Sequence, residues 1–240
     1  MKKATFKLND AELISVSKSI GMHWEEFNSE FRADLSPESL VVGASAGGHK
    51  MKKISLFVNK QVTGEILTRI VERTPNLREL FIPGTPINDD SILALVDSCG
   101  KSLETLAIGV CHNLTSKTML HLRDKIPNCT FLALIMNPWV DDDGMFAILP
   151  GVKKIKKLAL NGTKITDKTL HEMGRLELQD LETIYTQNCD ISEKGLIAAM
   201  RGCPLLVKFE IKGCEKITPS ACERIRGIRS LIEIGGEEKH

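Results

Sequence analysis

Three kinds of side chain in this sequence could do chemistry: clustered carboxylates, clustered amines and thiols. The string Asp141-Asp142-Asp143 could hold a divalent cation through its oxygens. The run from Lys153 to Lys157 could bind phosphate or an acidic peptide. Seven cysteines could ligate zinc or form disulfides, whereas the six histidines follow no metal-binding spacing. Whether these residues do chemistry or support the fold depends on the strands and helices that position them.

The positions are set by a sequence repeat. Its starts are Met51, Leu77, Leu103, Cys129, Ile155, Leu181, Leu206 and Leu231, which are 26 residues apart at first and then 25. From each start an apolar residue follows at offset three, and in the first seven repeats a small polar or thiol side chain follows at offset eight. A fixed period of this length indicates stacked units that cannot bury their apolar faces alone. The sequence therefore predicts a solenoid whose role is binding.

Each repeat is predicted to be a strand, a tight turn and a helix. Leu80 and Ile82 are predicted to point inward while Glu79, Phe81 and Pro83 point outward, which is the period-two pattern of a short half-buried strand. Ile92, Leu95 and Val96 then follow at the spacing of an amphipathic helix. Parallel strands joined by helices predict the α/β class, with the strands side by side in one sheet.

The helix starts and ends carry their own signals. Seven residues that directly follow an apolar anchor are predicted to be N-caps: Thr63, Asn88, Thr115, Asp141, Thr166, Ser192 and Thr218. Glycines such as Gly100, Gly202 and Gly227 are predicted to close the helices. Because Asp141 is a cap and acidic residues favour a first helical turn, we interpret the acidic string as structural.

The cysteines receive the same interpretation. Every one falls at a fixed repeat position, and no Cys-x-x-Cys pair is present. Buried, reduced cysteine behaves as a small hydrophobe. We therefore predict no catalytic residue, no metal site and no cofactor.

The repeat resembles the cysteine-containing type of leucine-rich repeat. The resemblance is carried by Leu103 to Cys111 with Leu114-Thr115, and by Leu181 to Cys189 with Ile191-Ser192 and Gly202-Cys203-Pro204. It implies a horseshoe with a parallel sheet on the concave face and helices on the convex face. It also implies protein binding rather than catalysis, in a subtype common among F-box substrate receptors of ubiquitin ligases. Residues 1–50 do not show the F-box pattern that would precede the repeats in such a receptor.

Residues 1–50 do not match the repeat in the sequence and are predicted to form a helical cap and linker, followed by a repeat domain over residues 51–240. Leu13 and Val16 belong to one predicted helical stripe, and Trp24, Phe27 and Phe31 to a second. Solenoids need such caps to cover the apolar end of the stack. The repeat domain would hold about seven repeats and a terminal strand.

The outward positions of the strands are the best place for function. Offsets two, four and six should line the concave face in rows, where exposed aromatic side chains beside small ones make a shallow groove. The predicted partner-binding residues are Glu79, Phe81, Phe131, Ile135, Met136, Trp139, Lys157, Tyr185 and Lys208. The alternative is that another part of the chain covers this apolar band.

We therefore predict a non-enzymatic scaffold or adaptor that binds a protein or peptide on its concave face. The alternatives are a substrate-recognition subunit of a ubiquitin ligase and a regulatory subunit of a larger enzyme assembly. A formal net charge of +1 predicts no nucleic-acid partner. No apolar run is long enough for a membrane span, so the expected location is the cytoplasm or nucleus.

Overall fold

The computed structural model describes residues 3–5, 8–29, 31–32 and 34–236. It divides the chain into two compact units, Met1–Asn128 and Cys129–His240. No helix in the described ranges is long and apolar enough to cross a membrane.

The first unit contains parallel strands that pair in chain order. They are β1 (Lys3–Thr5), β2 (Glu26–Asn28), β3 (Lys53–Ser55), β4 (Glu79–Phe81) and β5 (Thr105–Ala107). The helices that follow them are α1 (Asp10–Ile20), α2 (Pro37–Ser45), α3 (Gly64–Val71), α4 (Asp89–Cys99) and α5 (Lys117–Leu122). Each strand is parallel to the one before it because a helix returns the chain to the same end of the sheet.

The second unit repeats this arrangement with the same strand order. Its strands are β6 (Phe131–Ala133), β7 (Lys157–Ala159), β8 (Thr183–Tyr185), β9 (Lys208–Glu210) and β10 (Glu233–Gly235). Its helices are α6 (Asp142–Ile148), α7 (Asp167–Arg175), α8 (Glu193–Gly202) and α9 (Pro219–Ile228). The predicted strand, turn and helix of each repeat are confirmed.

The middle residue of each strand from β3 onward is the apolar residue at offset three. These residues are Ile54, Leu80, Leu106, Leu132, Leu158, Ile184, Phe209 and Ile234, and all are buried. The strand register places neighbours opposite each other, such as Ile54 with Leu80 and Leu158 with Ile184. Full burial of such a side chain contributes about 2 kcal/mol, so this row stabilises each stack.

The offset-eight side chains are also buried: Asn59, Thr85, Cys111, Asn137, Thr163, Cys189 and Cys214. Asn59 donates through Nδ2 to the carbonyl of Arg32 at 3.1 Å, and the Thr85 hydroxyl donates to the carbonyl of Ile82 at 2.6 Å. The Cys214 thiol donates to the carbonyl of Thr186 at 3.0 Å. The polar atoms are thus satisfied within the turns, as buried polar groups require.

Six of the seven predicted N-caps directly precede their helix and accept one of its backbone amide hydrogens. Thr115 is the exception. Helix α5 begins at Lys117 because Ser116 has helical backbone angles and makes no cap bond. The Thr115 hydroxyl still accepts from the Lys117 amide at 3.2 Å, so the cap is displaced by one residue.

The segment before residue 51 differs from the predicted helical cap. It contains two helices, α1 and α2, but the predicted second stripe is not helical, because Phe27 lies in strand β2 opposite Ile54. Trp24 and Phe27 are buried at the offset-zero and offset-three positions of a further repeat, whereas Phe31 is 70% exposed. The predicted linker, from Ala44 to Gly48, lies partly within α2, which ends at Ser45. Strand β1 then pairs with β2, so parallel repeats extend toward the chain start.

The last repeat start is also corrected. Leu231 is 85% exposed, and Ile232 is the buried residue instead. In the preceding repeat the buried Leu206 lies three residues after Cys203, the C-cap of α8. The C-cap of α9 is Arg229, so the same distance leads to Ile232.

Candidate partner-binding surface

The strands of the second unit present two kinds of side chain on opposite sides. Since Leu132 points into the core, its neighbours Phe131 and Ala133 point to the other side of the sheet, away from the helices. The outward positions of β6 to β9 and the offset-six positions after them form what we call the second strand face. It comprises Phe131, Ala133, Ile135, Lys157, Ala159, Asn161, Thr183, Tyr185, Gln187, Lys208, Glu210 and Lys212.

The second strand face has an apolar part with uneven height. Ala133 and Ala159 stand opposite each other in the register and are each 6% exposed, so their methyl groups form a low floor. Phe131, Ile135 and Tyr185 around them are half-buried and present larger side chains. Low residues between larger apolar ones can accept an anchor side chain from a partner.

Met136 and Trp139 follow this floor in the turn after β6. Met136 is 59% exposed and has a backbone φ of +52°. Its side chain lies over Gly162, where an added Cβ would stand 3.3 Å from the Met136 Cγ. Trp139 is half-buried. The turn thus extends the apolar surface beyond the strands.

The charges of the second strand face are distributed unevenly. Lys208 lies between two carboxylates, 3.1 Å from Glu210 and 2.8 Å from Glu233. Hydrogen bonds from its ammonium to Glu233 and Glu210 raise the pKa of Lys208 above its ordinary value. Lys157 is exposed on the neighbouring part of the face. Lys208 thus forms ion pairs within its own chain, and its predicted contact with a partner stays a prediction.

Two predicted residues lie in the first unit, where the structure brings them together around Lys53. The Lys53 Nζ is 2.7 Å from Glu79 and 4.9 Å from the centre of the Phe81 ring. Phe81 also stacks on Phe57, with ring centroids 6.2 Å apart. Glu79 and Phe81 are therefore half-buried against their own neighbours, which lowers the apolar area that Phe81 can offer.

Sequence reasoning missed a strained row at offset seven. The residues with left-handed backbone there are Phe31, Val58, Gly84, Val110, Met136, Gly162, Asn188 and Gly213. Glycine and asparagine adopt this conformation readily, but a valine or methionine costs about 1 to 2 kcal/mol. The glycines and the asparagine at this offset were the signal that could have revealed it. Bulky apolar residues persist at four of these positions despite the strain.

Sequence reasoning also missed a row of aspartates that joins successive repeats. Asp142 is the first residue of α6, and its carboxylate accepts from the next repeat: Thr166 amide at 2.9 Å, Thr166 hydroxyl at 2.7 Å, Thr169 amide at 3.2 Å and Thr169 hydroxyl at 2.6 Å. Asp10, Asp89 and Asp167 occupy the same position in their helices and bind the caps of the following helices. We call these four residues the aspartate row. Each of the four is the first residue of its helix and directly follows the N-cap residue of that helix.

The acidic string at residue 141 is thus explained by hydrogen bonds. The carboxylate of Asp141 accepts from the Gly144 amide at 2.9 Å, and Asp142 belongs to the aspartate row. Within the described residues, no three histidine, cysteine or acidic side chains cluster as a metal site would require.

All seven cysteines are buried and are thiols rather than disulfides. Burial raises the pKa of Cys99 to about 12 and the pKa of Cys203 to about 11. These thiols therefore stay protonated at neutral pH and are poor nucleophiles. Their predicted role as core residues agrees with this burial.

Comparison with known proteins points to one group. No protein-family model matches the chain. Relatives include the F-box protein MAX2 homolog A of Petunia hybrida, 29% identical in a 195-residue alignment that covers 72% of this chain and 23% of that protein. The F-box protein SKIP1 of Arabidopsis thaliana is 27% identical over 186 residues, 77% of this chain and 57% of that protein. The F-box/LRR-repeat MAX2 homolog of Oryza sativa subsp. japonica is 28% identical over 183 residues, 65% of this chain and 25% of that protein.

A solved structure supports the fold. The crystal structure of the Rad7 and Elc1 complex in yeast contains a chain that matches with a TM-score of 0.51 and 14% identity, over 96% of this chain and 84% of that one. The chain described here spans less than two thirds of each of the named sequence relatives. Repeated parallel strands, buried offset rows and these relatives lead to one assignment. The chain has the fold of a leucine-rich repeat protein, and its sequence is similar to those of F-box and F-box/LRR proteins.

Proposed function

We propose that this chain is a non-enzymatic binding module that takes a protein or peptide on the second strand face. The observation that carries the proposal is the low floor of Ala133 and Ala159 beside half-buried Phe131 and Ile135. Covering an apolar surface of this form with a partner is favourable, because it removes that surface from water. The exposed Met136, kept in a strained turn, extends the same surface.

We further propose, as a second candidate, that the partner is a substrate delivered to a ubiquitin ligase. The support is that the named sequence relatives are F-box proteins. Co-purification of the tagged chain with a Skp-type adaptor or a cullin tests this candidate. Binding of a partner on the second strand face without either subunit would favour the plain adaptor instead.

The proposed binding surface is tested by replacing Phe131 with glutamate. We expect Phe131→Glu to reduce capture of the partner from native extract at least about tenfold, because a buried unpaired carboxylate in an interface costs over 1.4 kcal/mol. Capture is measured by quantitative mass spectrometry against wild-type bait. Far-ultraviolet circular dichroism checks that the variant keeps its fold.

The matched control is Phe146→Glu. Phe146 lies in α6, in the same repeat but on the helix side, and is 36% exposed. This variant carries the same change of side chain and charge and is expected to capture the partner as wild type does. Equal loss in both variants, or no loss in Phe131→Glu, would contradict the proposed surface.

A second variant separates function from stability. Asn188 occupies the same offset as Met136 with the same left-handed backbone. Met136→Asn should therefore relieve backbone strain and raise the free energy of unfolding by about 1 kcal/mol. It should also weaken partner capture, because the exposed thioether side chain is lost. Urea unfolding and the same capture assay measure the two effects.

Val58→Asn is the control that separates the gain in stability from the loss of partner capture. Val58 has the same left-handed backbone, with φ of +50°, in the first unit. We expect a similar gain in stability with unchanged capture. Stabilisation of Met136→Asn with full capture would remove Met136 from the binding surface.

A further inference from the structure

The lysines in the run at residues 153–157 differ in whether the next repeat places a carboxylate beside them. Lys156 has its Nζ 3.5 Å from the Glu182 carboxylate, so that charge is compensated. Lys157 stands opposite Thr183, which is 7% exposed and carries no charge. The adjacent strand on the other side places Phe131 opposite Lys157. Lys157 therefore lies between Phe131, which has an apolar ring, and the buried Thr183.

The other lysine of this row is differently placed. Lys208 is held by Glu210 and Glu233, whereas no described carboxylate forms an ion pair with Lys157. Lys212, at offset six after β9, is likewise exposed and without an ion pair among the described residues. The second strand face thus offers two uncompensated positive charges beside its apolar floor.

We propose that the partner segment on the second strand face is acidic, with a carboxylate that pairs with Lys157 and an apolar side chain that packs on Phe131 and Ile135. This inference rests on the proposed function, since it names the partner chemistry of the same surface. Neighbouring strands lie about 4.8 Å apart, and side chains two residues apart in an extended segment point the same way at about 6.7 Å spacing, so one segment can reach Phe131 and Lys157 together. The overall net charge of +1 is too small to attract acidic peptides without such a local site.

The two contacts have different roles. Exposed ion pairs contribute little to affinity because water and salt screen them. Complementary charge instead selects among partners, while the apolar anchor provides most of the affinity. The lysine therefore determines preference, and its loss should change which peptide binds more than whether an apolar peptide binds.

The test uses three short fluorescein-labelled peptides that repeat Leu-Ser-X-Ser, where X is glutamate, glutamine or lysine, so that leucine and X face the same side of an extended peptide. Fluorescence anisotropy with the full chain should show the glutamate peptide bound about threefold to tenfold more tightly than the glutamine peptide, and the lysine peptide most weakly. Added salt should reduce this preference. In Lys157→Glu the order should reverse, so that the lysine peptide binds more tightly than the glutamate peptide.

Lys168→Glu is the matched control. Lys168 lies in α7 of the same repeat, on the helix side, and is exposed, so the variant changes net charge equally. We expect it to keep the wild-type order. Equal binding of the three peptides, no binding of any, or an unchanged order in Lys157→Glu would overturn the acidic-segment proposal. The proposed function would survive that result if Phe131→Glu still lost partner capture while Phe146→Glu did not.

Discussion

Replacing Gly202 with alanine should destabilise the second unit by about 3 kcal/mol or more. Gly202 is the last residue of α8, where an added Cβ would overlap the carbonyl oxygen of Gly174 and lie 2.6 Å from its Cα. These are backbone atoms of α7, so no side-chain rotation can make room. The two helices would have to move apart, which would open the packing of both.

Gly227→Ala is the control with the opposite expected sign. Gly227 lies in α9, is exposed, and an added Cβ there would meet no atom within 4 Å. Alanine has the higher helix propensity, so we expect a gain of about 0.5 kcal/mol near this helix end. Urea unfolding followed by circular dichroism measures both variants. A neutral Gly202→Ala would show that α7 and α8 are not packed as closely as described.

The same glycines show what the sequence could not reveal. Gly100, Gly202 and Gly227 were predicted to close helices, but none has a left-handed backbone among the described positions. Gly100 has helical angles, and a Cβ there would lie 2.6 Å from the Lys125 carbonyl oxygen. Sequence position identifies a small residue at a helix end. Only the neighbouring repeat shows whether the small residue is needed for its φ or for space.

The strand and helix pattern from residue 51 onward could be predicted because each repeat places equivalent residues in equivalent surroundings. The preceding repeat was missed for a physical reason. Trp24 and Phe27 are three residues apart, a spacing shared by one face of a helix and by the first two anchors of this repeat. The strand pairing of Phe27 with Ile54 decides in favour of the repeat.

The candidate surface was predictable to a similar degree. Alternation along a strand identified Phe131 and Lys157 as outward residues. The alternation could not show that Lys53 contacts both Glu79 and the ring of Phe81, because a long flexible side chain has many possible partners. The aspartate row was missed because a residue after an N-cap looks solvent-exposed on a single helix. Its partners lie on the following helix of the stack.

Removing a carboxylate of the aspartate row should have a large effect on stability. Asp142→Ala should lower the free energy of unfolding by about 3 kcal/mol, because it removes a carboxylate that accepts four hydrogen bonds. Thr169 is fully buried, so its hydroxyl would lose its acceptor without gaining water, whereas its amide also donates to the Thr166 carbonyl at 3.1 Å. Asp143→Ala is the control: Asp143 is exposed in the same first turn, and its loss should cost about 0.5 kcal/mol.

The pH dependence provides an independent check on Asp142. Burial would raise the pKa of this carboxyl group, but hydrogen bonds from Thr169 and Thr166 outweigh burial and hold the pKa below its ordinary value of 3.8. Because the folded-state pKa is lower than the unfolded one, the stabilisation is complete above pH 3.8 and is lost as the pH falls through the folded-state value. Wild type should therefore lose stability in acid more steeply than Asp142→Ala, and the two unfolding free energies should converge. A difference between them that stays constant as the pH falls would mean that Asp142 acts through packing and not through its ionised carboxylate.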